Sequence, residues 1–233
     1  MTGLWVIAHE CGHQAFSEHQ ILNDTVGLVL HSIMLVPYHS WKITHRRHHL
    51  HTGSCENDEV FVPVTRSQWG KSVRSRIVAE APLFSFLSIF IMLIAGWMPL
   101  YLVFNSKGPE KYFGKNANHF SPTAVLFLPK QYNAIVLSNV GVLTVVFGLI
   151  WIWMNYGFTS VGFCYLIPYL IVNYHLVLIT FLQHTDIYVP HFRNEEWTWL
   201  RGALCTVDRS FGKWLDGVFH HISDTHVCHH LFP

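Results

Sequence analysis

The sequence predicts an all-α integral membrane protein, and its composition and apolar segments carry that prediction. Hydrophobic residues make up 51% of the 233 residues and charged residues only 12%, whereas a soluble domain carries about 25% charged residues. Nine Trp and nine Tyr are typical of a protein with long membrane–water boundaries. The net charge of +1 argues against nucleic acid as a partner.

Four apolar segments are present, at residues 21–38, 82–104, 134–154 and 158–182. The first contains Asn23, Asp24 and Pro37, so it is too short and too polar to span and predicts a helix in the membrane interface. The other three are long enough to span, with Gly96 and Pro99 able to break the second near one end. Only three residues separate the last two segments, which predicts an antiparallel helical hairpin.

Histidine is clustered in three motifs, H-E-C-G-H at 9–13, H-R-R-H-H at 45–49 and H-V-C-H-H at 226–230. Side chains three or four positions apart share one face of a helix. Three sets of imidazoles are therefore each predicted to lie on one helical face: His9 and His13; His45, His48 and His49; and His226, His229 and His230. Imidazole suits zinc, copper, iron and nickel. Eight imidazoles are too many for one ion, so the motifs predict two metals with four or five nitrogens each. Such a site could cleave an unactivated C–H bond if the metals are iron and the oxidant is O2.

A shared metal site also constrains the topology. Lys and Arg are in excess over residues 40–81, which predicts that this block, with its histidines, faces the cytosol. If the second and third motifs meet, the chain between them must cross the membrane an even number of times. One of the three spanning-length segments should therefore not cross. Either 82–104 turns back at Gly96 and Pro99, or one of the later two lies in the interface; the lysines of 105–132 favour the first alternative.

The order and spacing of the three motifs resemble the membrane fatty-acid desaturases. Further stretches resemble the delta-12 (omega-6) oleate desaturases of plants and fungi, at residues 44–49, 51–53, 58–63, 181–185, 199–203 and 220–232. The first motif of that family usually ends in a second His, where this chain has Gln14, but the His9/His13 pair is intact. The resemblance covers nearly the whole chain, which we interpret as one desaturase domain over 1–233, truncated at both ends because histidine motifs lie close to each terminus.

The resemblance implies the site residues. The family's metal ligands carry over to His9, His13, His45, His48, His49, His226, His229 and His230, with His184 as the best match for a usual ninth ligand. The alternative for His184 is a polar cap at a helix end. Four carboxylates are candidates to accept the second ring N–H of a ligand: Glu10, Asp58, Asp208 and Asp224. Of these, we expect Asp224, two residues before His226, to be the best placed. His220 and His221 are not assigned a role.

The resemblance further implies an O2-dependent, di-iron oxidoreductase of the endoplasmic reticulum. It would introduce a cis double bond into an acyl chain, with oleoyl on a phospholipid as the expected substrate and delta-12 as the expected position. A hydroxylase or acetylenase of the same family is the alternative. Electrons would come from cytochrome b5, an acidic protein, docking on Arg66, Lys71, Arg74 and Arg76, although lipid headgroups are an equal alternative for these cations. Segments 21–38 and 158–182 would form walls of the acyl tunnel.

The first motif by itself has a competing interpretation. His9-Glu10-x-x-His13 also fits the H-E-x-x-H signature of zinc proteases, in which Glu is the general base. Asp216, within Leu215-Asp216-Gly217, resembles the third zinc ligand of intramembrane proteases. That alternative leaves the second and third motifs without a role.

Overall fold

The computed structural model describes residues 1–63 and 81–232, and within these residues the chain is helical. The one strand-like pairing among them is an isolated bridge between Ser54 and Phe192. The predicted all-α class is confirmed for this part of the chain. The four cations predicted to dock an electron donor lie outside the described residues: Arg66, Lys71, Arg74 and Arg76.

The N-terminal part consists of three helices: α1 (Thr2–His13), α2 (Gln20–Ile33) and α3 (Tyr38–His51). α1 ends because Gln14 takes a left-handed conformation, with φ of 65°. α2 and α3 meet at an angle of 107°, and together they are long and apolar enough to form a broken span or a re-entrant loop. The predicted interfacial segment 21–38 is thus mostly α2, followed by the turn into α3.

Among the residues that the structure describes, three stretches are long and apolar enough to cross a membrane: Pro82–Tyr101, Pro129–Tyr156 and Phe158–His184. The first comprises α4 (Pro82–Ala95) and a π-helical turn (Gly96–Tyr101), within which Met98 leaves helical geometry. The predicted break near Gly96 and Pro99 is therefore confirmed. The second contains a short 3-10 turn (Pro129–Gln131) and α5 (Tyr132–Tyr156).

The third stretch comprises α6 (Phe158–Val161), a π-helical turn (Gly162–Leu166) and α7 (Ile167–His184). A single residue, Gly157, connects α5 to α6 and takes φ of 80°, which glycine adopts without steric cost. The short link agrees with the predicted antiparallel hairpin. The two long helices, α5 and α7, nevertheless pack on different partners. Apart from the adjoining α6, α5 packs mainly on α2 and α3, whereas α7 packs on α4, α1 and the 96–101 turn.

The C-terminal part contains three short helices, α8 (Trp199–Ala203), α9 (Lys213–Val218) and α10 (His226–Leu231). Two further 3-10 turns lie at Glu110–Tyr112 and Asn194–Glu196. α8 approaches the end of α3 so closely that a Cβ on Gly202 would lie 1.9 Å from the carbonyl oxygen of Thr52. Because α8 also contacts α10, this approach ties the third histidine motif to the second.

A backbone hydrogen bond bears on the number of crossings. The amide of Val62 donates to the carbonyl of Lys107 over 2.8 Å. The two ends of the chain segment between these residues therefore lie side by side. That geometry agrees with the prediction that segment 82–104 contributes no net crossing between the second and third motifs. The side of the membrane on which each helix end lies stays a prediction.

The core lies where α1, α3, α7 and the 96–101 turn meet. Its central side chains are aromatic: Trp5 contacts both Trp41 and Trp97, with ring centroids 5.5 Å apart in each pair and edge-to-face geometry. Tyr101, Val172 and Leu176 join it from the turn and α7. In contrast, α4 is largely uncovered, with Leu83 72% and Phe86 65% exposed. An apolar helix face left open to this extent suits contact with lipid.

Candidate metal centre

The three histidine motifs and the end of α7 converge on one place. His9 and His13 come from α1, the second motif from α3, the third from α10, and His184 is the last residue of α7. Their nitrogens form two groups, in each of which all the possible ligand atoms lie within 4.8 Å of one another. The five-histidine group is His9, His13, His45, His49 and His229, and the three-histidine group is His48, His184 and His230.

The five-histidine group is centred on the Nε2 atom of His45. It lies 2.8 Å from Nε2 of His9, 3.0 Å from Nε2 of His13 and 3.1 Å from Nε2 of His49. The ring of His45 is itself fixed by stacking on Trp41, with centroids 4.4 Å apart. This group therefore gathers nitrogens from all three motifs.

The three-histidine group is fully buried and is centred on His184. Nε2 of His184 lies 3.3 Å from Nε2 of His48 and 3.0 Å from Nε2 of His226. His226 is thus placed at the edge of this group. The ring centroids of His230 and His184 are 5.0 Å apart. Sequence reasoning left a capped helix end as the alternative for His184, but its side chain faces the other imidazoles rather than its own helix end.

Three rings are oriented by a partner on the nitrogen opposite the cluster. Nδ1 of His48 lies 2.8 Å from Oδ1 of Asp58, and Nδ1 of His9 lies 2.9 Å from Oε1 of Glu10. Nδ1 of His230 lies 3.0 Å from the Thr52 hydroxyl, whose own hydrogen is donated to the carbonyl of His48 over 2.6 Å. Each Nδ1–H is therefore a donor to an oxygen acceptor, which leaves the Nε2 lone pair pointing into the cluster.

A bound cation would satisfy these Nε2 lone pairs better than hydrogen bonds among the imidazoles can. A neutral imidazole carries one N–H, so the single hydrogen that His45 Nε2 could carry can satisfy only one of its three close Nε2 neighbours. Nε2 of His229 and of His230 is buried without any hydrogen-bond partner among the described residues. Buried polar atoms are rarely left unpaired. Metal ions bound between these nitrogens would satisfy them.

The imidazoles of the cluster are held in the form that binds metal. Burial lowers the pKa of His9 to about 3, with His48 adding to the effect. Burial likewise lowers the pKa of His229 to about 3, with His9 as the next contribution. Both rings are therefore neutral at physiological pH, as a metal ligand must be. Burial alone would raise the pKa of Asp58, but His48 and the backbone amide of Val60 hold it below its ordinary value, so this carboxylate stays charged.

Two of the four predicted orienting carboxylates have other partners. Asp224 accepts from Nδ1 of the exposed His221 at 3.1 Å, and Asp208 accepts from the backbone amide of Val227 at 2.8 Å. Asp208 therefore caps the start of α10. The expectation that Asp224 is the best placed of the four is not matched by this geometry, because its oxygens are turned towards His221 instead of His226.

Asp216, the third ligand in the zinc-protease alternative, is likewise engaged elsewhere. Its carboxylate accepts hydrogen bonds from Ser210 at 2.5 Å, from the amide of Phe211 at 2.8 Å and from Ser223 at 3.1 Å. It belongs to neither histidine group. The histidines grouped with His9 and His13 come instead from the second and third motifs.

Sequence reasoning missed three residues that support the centre. Thr52 orients His230, and Trp41 stacks on His45, as described above. His119 is fully buried and lies 3.1 Å from the hydroxyl of Thr44, one position before the second motif. Thr52 lies within the stretch 51–53 noted in the sequence. Helical spacing nevertheless predicts neither its contact with His230 nor the contact between His119 and Thr44, because both contacts join residues that are distant in sequence.

An apolar cavity adjoins both groups. This metal-side cavity is small, about 60 Å³, and five histidines of the cluster form part of its wall: His9, His45, His48, His184 and His226. Most of the remaining lining is apolar, with Trp5, Trp97, Leu176 and Ile179 among its residues. The arrangement places metal-binding nitrogens against a space suited to an apolar substrate.

Comparison with known proteins agrees with this geometry. The profile described as fatty acid desaturase matches residues 1–233. The chain belongs to the fatty acid desaturase family. It is 53% identical to a delta(12) fatty acid desaturase of Calendula officinalis over 100% of this chain and 59% of the relative. It is 52% identical to a delta(12)-fatty-acid desaturase of Arabidopsis thaliana, again over 100% of this chain and 59% of the relative.

A fungal relative gives the same result. The chain is 48% identical to a delta(12) fatty acid desaturase of Mortierella isabellina, over 99% of this chain and 60% of the relative. The chain thus spans about three fifths of the length of the curated relatives it matches. Membership of the desaturase family, predicted from the histidine motifs, is confirmed.

Proposed function

We propose that the protein is an O2-dependent acyl-lipid desaturase that introduces a cis double bond at the delta-12 position of an oleoyl chain. One observation carries the proposal: two groups of clustered histidine nitrogens border an apolar cavity. The position of the double bond rests on the relatives, whose printed names are those of delta(12) desaturases at about half identity. In the balanced reaction, O2, two electrons and two protons convert a CH2–CH2 unit into CH=CH and two molecules of water.

The metals of this proposal are two iron ions. The five-histidine group would hold one, and the three-histidine group with His226 at its edge would hold the other. Imidazole ligands with little carboxylate suit iron and disfavour calcium and magnesium. When bound, the irons supply the activation of O2 that breaking an unactivated C–H bond requires.

The protein's own residues would position the substrate and the ligands. The apolar wall of the metal-side cavity excludes water and holds adjacent carbons of the acyl chain against the histidines. Asp58 and Thr52 keep the rings of His48 and His230 in fixed tautomers, so that the lone pairs point inward without rearrangement. Glu10 does the same for His9 from a more exposed position.

The cellular setting is part of the proposal. We place the protein in the endoplasmic reticulum with the histidine motifs facing the cytosol, oleoyl phospholipid as substrate and cytochrome b5 as electron donor. The excess of Lys and Arg over residues 40–81 supports a cytosolic position. Arg66, Lys71, Arg74 and Arg76 remain the proposed docking cations for an acidic donor.

Expression of the complete coding sequence in a yeast that makes oleate but no linoleate tests the proposal. The expected result is a new dienoic acid with double bonds at positions 9 and 12, together with about two irons per purified chain. A His184→Ala variant should make no dienoic acid and serves as the negative control. A hydroxy or acetylenic acid in place of the diene would point to the alternative family activities. One zinc without iron would contradict the di-iron assignment.

A further inference from the structure

A second cavity lies beside the metal-side cavity, between the 96–101 turn and α7. This apolar groove has a volume of about 240 Å³. Its lining includes apolar residues such as Met92, Leu100, Val177 and Phe181. Five residues line both cavities, so that the two spaces share one wall: Val60, Trp97, Tyr101, Leu176 and Thr180.

Trp97 is the largest side chain in that shared wall. Its ring is held edge-to-face on Trp5 at 5.5 Å and lies 5.2 Å from Tyr101. The side chain is 8% exposed, yet its indole N–H has no hydrogen-bond partner among the described residues. Its position is therefore set by packing alone, and a smaller ring there would thin the wall between the two cavities without breaking a hydrogen bond.

The rim of the groove is polar on one side. Ser106 and Lys107 line it there, and both are exposed. Within the described part of the chain, no hydrogen bond or ion pair engages the ammonium group of Lys107. Nearby Lys111, by contrast, donates to Asn57 over 3.1 Å. An exposed cation at the mouth of an apolar groove is complementary to an anionic group attached to an apolar chain.

We propose that the apolar groove holds the acyl chain of a phospholipid on its way to the metal-side cavity. Lys107 contacts the lipid phosphate at the rim, and Trp97 determines how far the chain advances towards the histidines. The proposal deepens the proposed function and rests on it for the identity of the reaction, whereas occupancy of the groove by lipid is a separate property. Regiochemistry then depends on the distance along the chain from a fixed headgroup to the metals.

Gly96 provides a way to narrow the groove. A Cβ at this position would lie 3.0 and 3.1 Å from the two methyl carbons of Val177 on the opposite side. Gly96→Ala should therefore constrict the groove, and Val177→Ala in the same chain should restore the space. Gly148→Ala is a matched control in α5, because a Cβ there meets nothing within 4 Å.

Photo-crosslinking measures occupancy without turnover. The full-length protein is purified with metals bound and mixed with oleoyl phosphatidylcholine carrying a diazirine on the acyl chain, and labelled peptides are identified by mass spectrometry. Labelling is expected on peptides containing Met92, Val177 and Phe181. Gly96→Ala should lower it by roughly tenfold, while Gly96→Ala/Val177→Ala and Gly148→Ala should leave it near that of the parent. Lys107→Gln should also lower it, whereas Lys111→Gln should not.

Product analysis tests the role of Trp97. In yeast, Trp97→Phe should shift part of the product to a neighbouring double-bond position or to a different chain length, with iron content unchanged. Labelling distributed over the lipid-facing surface of α4, unaffected by Gly96→Ala, would overturn the groove proposal even if linoleate were made. An unchanged product position in Trp97→Phe would refute the role of Trp97. Labelling of the groove in a protein that makes no diene would instead contradict the proposed function and leave the groove site standing.

Discussion

The two histidine groups use one residue type but are built differently. In the five-histidine group, three of the five rings are only half-buried, and nitrogens converge from all three motifs. In the three-histidine group every ring is buried, and two of the three are oriented by a buried partner, Asp58 or Thr52. The first group thus has spare ligands, whereas the second depends on few ligands that are held firmly. The loss of one residue should therefore have different consequences in the two groups.

Removal of one imidazole from each group should give the largest effect. His184→Ala leaves the three-histidine group with two of its nitrogens and His226 at the edge, so roughly one of the two metals should be lost, together with activity. His13→Ala leaves four nitrogens in the other group and should retain more metal. Metal content per chain measures the difference.

His19→Ala is the control for this pair, because His19 is exposed and belongs to neither group. Equal metal loss in the His184 and His13 variants would show that the groups do not differ as their geometry suggests.

Removal of an orienting charge should give the next largest effect. Asp58→Asn keeps the size of the side chain but replaces a buried carboxylate that accepts from His48 and from the backbone amides of Gly53 and Val60. Loss of such a partner lowers metal affinity by up to about 100-fold. Metal affinity measured by competition with a chelator checks this.

The matched change at the other group is Glu10→Gln. The side chain of Glu10 is 37% exposed, so water can replace its bond to His9, and the loss of affinity should be smaller. A larger loss of metal affinity in Glu10→Gln than in Asp58→Asn would contradict the proposed difference between the two groups.

Removal of a neutral partner should give the smallest effect. Thr52→Val keeps the shape but deletes the acceptor for Nδ1–H of His230, so metal affinity should fall by about tenfold. Thr52→Ser should restore it, because the hydroxyl is retained. Chelator competition again gives the measurement.

Thr144→Val is the matched control for the hydroxyl. Thr144 in α5 also donates to the carbonyl four residues earlier but is exposed and distant from the histidines in sequence. If Thr52→Val behaved like Thr144→Val, an orienting role for Thr52 would be excluded.

Local periodicity explains which parts of the centre were predictable. The spacing of His45, His48 and His49 places them on one face of α3 through helical geometry alone, and the apolar segments have the length of spanning helices. The break after α4 was likewise visible in Gly96 and Pro99. These features depend on residues close together in the chain, so short-range physical rules suffice to predict them.

Contacts between distant segments were not predictable in this way. Thr52 and His230 are 178 positions apart, and no spacing rule connects them. Asp224 was favoured because it is close to His226 in sequence, but its carboxylate turns towards His221. The packing of α5 on α2 and α3, despite its short link to α6, is another case.

The sequence by itself determined the helical class, the family, and three sets of histidines on three helical faces, because each depends on composition or on spacing within a few turns. The tertiary structure alone decided that these sets divide into groups of five and three, with His184 in the second. It also decided which carboxylates face the rings, and that an apolar groove shares Trp97 with the metal-side cavity. Those outcomes depend on how helices pack across long sequence separations, where directional hydrogen bonds and side-chain volume decide which partners meet.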